Sequence, residues 1–365
     1  MVNSDNIFIE LLQISVGNRE RLSCTPSDIE WDEIYETAKK QSLLGVLTEG
    51  LDKLPPEQKP YRPLLLRWLK NIDLIEDRNK SINNLCVALV SRFAEDGKKS
   101  CILKGQGVGC YYPKPLLRQC GDIDIWIEGD RESIVKYIKS IKPDSKARFH
   151  HIDFDIVPEF EIEVHFFPTW YYSPFVSKRF TKWINTIQEQ QMNHFTPFYD
   201  GKHIPSPTDE FNTIFLLTHI YKHLIEEGIG FRQLMDYYFF LLHVKNDNDN
   251  YDKEEVDKRI KEFHLENFAS AVMWVLQEVF LMDSKYLICP PNEKRGRRLL
   301  EEIMAAGNFG HYDTRVDKSD KSPLGFFCRK LQRGLSFIFD YPHEVLWIPY
   351  FSIYQRLWRK KEGLV

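Results

Sequence analysis

No Cys-x-x-Cys pair occurs in this chain. Its seven cysteines (Cys24, Cys86, Cys101, Cys110, Cys120, Cys289 and Cys328) are scattered and odd in number. That excludes a dense disulfide framework and a cysteine-rich zinc module. The expectation is reduced, buried thiols in a cytoplasmic protein. A zinc site built on His150 or His151 finds no supporting ligand spacing along the sequence. Long apolar runs are also missing: none reaches the 18 or so residues a membrane span needs. Met1 to Asn6 lacks a basic segment followed by an apolar core, so no secretory signal is expected. Positive charge is short as well. The formal net charge is −4, which argues against a protein that grips long nucleic acid by its backbone.

Aromatics are plentiful: 17 Tyr, 25 Phe and 8 Trp among 365 residues. They suit a packed globule and leave some over for a partner surface. The length allows two or three domains.

Three regions follow from the periodicity. Residues 1–97 read as helical. Apolar residues recur at helical spacing through Ile34, Ala38, Leu43, Leu44 and Leu47, with Asp28 and Asp32 near a helix start. Tyr61 to Phe93 reads as one or two amphipathic helices with Leu64, Leu65, Leu69, Ile72, Leu74 and Ile75 as core candidates, and Gly97 as the stop.

The period then changes. Ser100 to Lys104 is a short buried strand leading through the Gly105-Gln106-Gly107-Val108-Gly109 turn. Gly121 to Ile127 is a second strand. Asp130 caps a helix running to Ile141. Arg148 to Val157 and Phe160 to Phe166 form a hairpin around Pro158-Glu159. Residues 98–200 therefore read as a small α/β unit.

Residues 201–365 turn helical again. Ser206 to Glu210 forms a helix start. Helices follow over Phe211 to Ile225, Phe231 to Val244, Glu254 to Leu281 and Glu293 to Ala306, then a polar loop over Gly310 to Ser322. The aromatic tail, Phe326 to Trp358, reads as packing on the helical domain or as a homodimer contact. Its alternative is an interfacial membrane helix. The fold class is thus α+β: a small mixed-sheet core flanked by N- and C-terminal helical domains.

Strand alternation identifies the chemistry. In Gly121-Asp122-Ile123-Asp124-Ile125, the two aspartates share one face and the isoleucines point into the core. Two carboxylates at one end of an apolar strand are costly unless something neutralises them. A divalent cation does so, since Mg²⁺ takes hard oxygen ligands. Glu161, Glu163 and His165 share a face of the next strand. If that strand lies beside the first, Glu163 reaches the same cation. The small residues after Lys104 let a backbone approach phosphate, and Lys104 adds charge. Asp153 and Asp155 form a rival alternating pair near the hairpin turn. Arg118 serves either the nucleotide or a salt bridge that fixes the loop before the acidic strand.

Taken in order, five motifs resemble the uncharacterised nucleotidyltransferase-like family of the DNA polymerase β-like superfamily. They are Leu103-Lys104-Gly105, Tyr112-Pro113-Lys114-Pro115, Arg118, Gly121-Asp122-Ile123-Asp124 and Glu163-Val164-His165. The resemblance implies a nucleotidyltransferase core and Mg²⁺-dependent (or Mn²⁺-dependent) transfer from an NTP. Asp122, Asp124 and Glu163 would be the catalytic and metal-binding residues. Lys104, Gly105, Gln106, Arg118 and His165 would lie toward nucleotide. Two positions depart from the wider superfamily: Gln106 stands where a small or hydroxyl residue is usual, and Glu163 where Asp is commoner. Lys222, then Arg232 and Asp236, resemble in order the helical motifs of nucleotidyltransferase-like toxins. On that likeness Lys222 or Arg232 would contact the triphosphate, with Asp236 orienting the arginine. His219 and His223 share a helix face with Lys222 but lack a third metal ligand in sequence. The functional expectation is nucleoside monophosphate transfer from an NTP to an unknown hydroxyl or phosphate acceptor on a small molecule, sugar or protein. The alternative is a catalytically inactive nucleotide-binding or regulatory module.

Overall fold

Local signals set the first helices. Ser27 and Glu30 form a reciprocal capping box, the serine hydroxyl accepting from Glu30 N and the glutamate accepting from Ser27 N. In the computed structural model, which describes residues 4–247, 250–315, 319–320 and 322–362, this box opens the second helix. The N-terminal helices are α1 (Ser4–Ser15), α2 (Asp28–Lys40), α3 (Leu44–Lys53) and α4 (Arg62–Glu95). The stretch expected to hold one or two helices is one continuous helix of 34 residues. Only one stripe of it meets the core. Leu64 and Ile72 are buried on that stripe, but Leu69 and Leu74 are exposed, against the sequence expectation. Gly97, with φ of 72°, terminates the segment.

The next elements are β1 (Ser100–Ile102), α5 (Gln106–Gly109), β2 (Ile123–Ile127), α6 (Arg131–Ile141), β3 (His151–Asp153) and β4 (Ile162–His165). Asp130 caps α6 as expected, accepting from Ser133 N. The strands form one sheet in the order β1-β2-β4-β3. β1 runs antiparallel to β2, β2 parallel to β4, and β3 antiparallel to β4. The hairpin read from the sequence is present, with shorter strands. One face carries Ile102, Ile123, Ile125, Ile127, Ile152, Ile162 and Val164, packed with Phe93 of α4 and with Ile134 and Ile138 of α6. The opposite face carries the acidic residues.

The remainder comprises α7 (Pro174–Met192), a small hairpin of β5 (Phe195–Pro197) and β6 (His203–Pro205), then α8 (Asp209–Glu226), α9 (Phe231–Asp247), α10 (Lys253–Glu262), α11 (Glu266–Phe280), α12 (Glu293–Ala306), α13 (Pro323–Ser336), α14 (Pro342–Val345) and α15 (Ile348–Lys361). The single helix expected over Glu254 to Leu281 breaks at His264, whose φ is 56°. The polar loop after Gly310 lies partly outside the described residues. The architecture is α+β, as expected. Among the described residues no helix is long and apolar enough to cross a membrane.

Two corrections concern side chains. All seven cysteines are free, but only Cys86 and Cys101 are buried, and Cys328 is exposed. The aromatic tail lies against aromatics at the end of the sheet as well as against α13. Phe351 of α15 stacks on Trp170 at 4.2 Å and meets Phe149 edge-on at 5.4 Å. Arg131 of α6 closes the contact with an ion pair to Glu362 at 2.8 Å.

Candidate active site

The register decides what faces the cleft. Asp124 of β2 lies directly opposite Glu163 of β4, and Glu163 lies opposite Asp153 of β3. Opposed residues project to the same side of a sheet. Two residues along, on the same face, Trp126, His165 and His151 are aligned in the same way. The pairing of β2 with β4, conditional in the sequence, is therefore present. Beyond β1, Leu103 N donates to Asp124 O at 2.9 Å, which holds Lys104 beside the acidic strand.

Two internal cations neutralise the carboxylates. Lys104 Nζ stands 2.9 Å from Asp124 Oδ2 and 3.8 Å from Asp122 Oδ2. His165 Nε2 lies 2.9 Å from Asp124 Oδ1 and 3.4 Å from Glu163 Oε2. The Lys104 ammonium holds the Asp122 carboxyl below its usual range. Burial, together with the neighbouring Asp122 charge, raises Asp124. Burial alone would also raise Glu163, but the His165 hydrogen bond and the His165, His151 and Lys104 charges hold it low. Burial opposes a charged His165, yet the two carboxylates raise it to about 9. Sequence reasoning assigned the neutralising role to a metal alone. Lys104 and His165 already fill much of it.

A clasp lies behind the cleft. Arg118 donates Nε to Asp236 Oδ1 at 2.7 Å and Nη2 to Asp236 Oδ2 at 2.8 Å, while Tyr112 Oη donates to Oδ1 at 2.5 Å. Asp236 thus orients Arg118, not Arg232 four residues earlier on α9 as the sequence suggested. Of the two roles weighed for Arg118, the salt bridge fixing the loop before β2 is present. Arg232 instead donates Nη1 to Gln119 O at 3.1 Å and stacks over the Phe309 ring.

Lys104, Gly105, Arg118, Asp122, His219, Arg232 and Asp236 line one small cavity of about 30 Å³, with Phe309 at its wall. Four polar atoms at this site are buried without a hydrogen-bond partner: Arg118 Nη1, Arg232 Nε, His165 Nδ1 and Asp124 Oδ2. The Lys104 contact with that last oxygen is an ion pair without hydrogen-bond alignment. Two open guanidinium donors suit an anion, and one ligand atom from each of Asp124, Glu163 and His165 lies within 4.8 Å of the others, a spacing a cation can bridge. On this test the residues fit a divalent metal.

Other expected residues lie elsewhere. Gln106 is buried against α4, its amide donating to Asn83 and, at 3.4 Å, to Asn79. Lys222 sits 3.7 Å over the Trp170 ring, where burial lowers it to about 8. His223 bonds Glu227 at 2.6 Å. The rival acids do not form a pair of their own: Asp153 meets Arg148 and His151, and Asp155 accepts from Ile162 N at 2.9 Å. The sequence missed Phe309, and it weighed His151 only as a zinc ligand without supporting spacing. Strand pairing brings His151 beside Glu163, and no spacing within one segment reveals it.

A small mixed sheet presenting paired acids on one face is a nucleotidyltransferase-like core. Residues 27–281, more than two thirds of the chain, match the family described as uncharacterised nucleotidyltransferase, and the chain belongs to that family. No curated protein matches it. Among solved structures, an antigenic nucleotidyltransferase-like protein from Paracoccidioides brasiliensis is similar at 13% identity and a TM-score of 0.30. That match covers 52% of this chain and 90% of the other, and is too distant to bear on the site.

Proposed function

We propose that this protein transfers a nucleoside monophosphate from an NTP to a hydroxyl or phosphate acceptor, with Mg²⁺ or Mn²⁺ held by Asp122, Asp124 and Glu163. One observation carries the reading. Asp122 and two buried arginines with open N–H donors line a single cavity, and Lys104, on the same lining, joins Asp122 to Asp124. Cation-seeking and phosphate-seeking groups side by side are what a metal–triphosphate complex requires. The metal, when bound, would neutralise charge on the reacting phosphate and its leaving oxygens.

The residues of the chain divide the remaining work. Lys104 keeps Asp122 ionised before nucleotide arrives and supplies an ammonium to the phosphates. Gly105, at φ of 44°, lets the backbone turn close to the acidic strand. Arg118 and Arg232 offer fixed donors, and the Asp236 clasp holds the first of them in place. Glu163, held ionised by His165, His151 and Lys104, completes the acidic site. The cavity is far smaller than a nucleotide, so binding has to widen it. The free thiols accord with a reducing, cytoplasmic setting.

Isothermal titration of ATP, GTP, CTP and UTP with Mg²⁺ tests the proposal. Binding of at least one is expected, and it should disappear in the Asp122→Asn, Asp124→Asn double variant. Folded protein that binds none of the four would refute it.

A further inference from the structure

Three histidines surround the outer edge of Glu163. His150 Nε2 lies 3.4 Å from His151 Nδ1, and His151 Nδ1 lies 3.4 Å from Glu163 Oε2. The same carboxylate oxygen is 3.4 Å from His165 Nε2. One donor atom from each of His150, His151 and Glu163 falls within a sphere of mutual distances no greater than 4.8 Å. A tetrahedral ion with bonds of about 2.1 Å spaces its ligands about 3.4 Å apart. Two of the three edges already have that length.

The protonation pattern leaves the group incomplete. A neutral imidazole carries one N–H. His151 has a carboxylate at each nitrogen: Asp153 Oδ1 lies 3.3 Å from Nε2, and Glu163 Oε2 lies 3.4 Å from Nδ1. Nδ1 also faces His150 Nε2 at 3.4 Å, and it has one in-plane position for a proton. A proton there serves one of these two partners, whereas an ion there reaches both. Asp153 in turn is held by Arg148 at 3.0 Å. Carboxylate, histidine and open nitrogen in line are the arrangement that orients imidazole ligands on metals.

We propose that His150, His151 and Glu163 form a binding site for a first-row transition ion of the zinc class, which shares Glu163 with the Asp122/Asp124 site and uses neither aspartate. Imidazole ligands select zinc-class ions over Mg²⁺, which prefers oxygen. Three protein ligands leave a fourth position for water or a substrate hydroxyl. The site does not depend on nucleotidyl transfer, because it needs no nucleotide to form.

Full-length protein, stripped with chelator, is titrated with Zn²⁺ against a chromophoric competitor and with Co²⁺ by visible absorption. One tight equivalent is expected, with a Co²⁺ spectrum of nitrogen and oxygen ligation. His150→Gln and His151→Gln should each weaken binding at least tenfold, whereas Asp122→Asn should leave it unchanged. Circular dichroism establishes that each variant is folded. No tight equivalent in folded protein, an equivalent indifferent to both histidine variants, its loss in Asp122→Asn, or an intense thiolate band would each overturn the assignment.

Discussion

Removing Asp236 should unfold much of what holds the acidic strand in place. Arg118 is only 4% exposed, and its guanidinium makes two charge-assisted hydrogen bonds to Asp236, at 2.7 and 2.8 Å. Each such bond contributes about 1.5–3 kcal/mol. Breaking a buried pair from one side strands the other charge and costs about 3–5 kcal/mol. Burial this complete calls for no discount for solvent screening. Total stability for a domain is about 5–15 kcal/mol, so Asp236→Ala should remove at least about a fifth of it. Asp236→Asn keeps one acceptor oxygen and should cost about half as much. The double replacement Arg118→Met with Asp236→Leu removes both charges and should recover most of the loss. Urea denaturation followed by tryptophan fluorescence measures all three. A loss below about 1 kcal/mol for Asp236→Ala, or no recovery in the double variant, would refute the clasp.

Lys104→Ala should separate two effects. Without the competing ammonium, Mn²⁺ alone should bind more tightly by electron paramagnetic resonance titration, while NTP affinity by calorimetry falls about tenfold, or roughly 1.4 kcal/mol; a parallel change in both would count against the assigned role. Glu344, buried, is raised to about 8 from a reference of 4.5. Its carboxyl therefore stays protonated in the fold while the unfolded chain ionises near 4.5. Stability should drop as pH rises from about 4.5 to about 8, at up to about 1.4 kcal/mol per unit. Thermal unfolding midpoints across that range should fall in the wild type and stay flatter in Glu344→Gln. Phe351→Ala removes the ring stacked on Trp170 and should cost about 3–4 kcal/mol, with limited proteolysis opening the tail first; an unchanged cleavage pattern would show the tail is not held there.

The acidic strand was legible because alternation is a local property. Asp122 and Asp124 had to share a face whatever surrounded them, and Asp130 and Gly97 punctuated their elements by backbone chemistry alone. What surrounded the acids was not legible. Lys104 and His165 neutralise Asp124 only because β1 and β4 flank β2, and pairing of that kind spans distant segments. The partner of Asp236 was misjudged for the same reason: a neighbour at i−4 is visible in sequence, whereas Arg118 arrives from a loop over a hundred residues away. Cysteine burial failed differently. Apolar neighbours in sequence do not say which side of an element faces outward, so Cys328 came out exposed.

One packing relation bears on how the molecule is made. α1 lies against α11, and Asn18, just after α1, donates to Phe280 O at 2.5 Å and to Tyr238 Oη at 2.8 Å. During synthesis at about 5–20 residues per second, the first helix emerges roughly 10–50 s before that partner exists. Until then, α2 and α3 are the neighbours available to cover its apolar face. Release of the nascent chain before residue 280 would leave that face without its final cover.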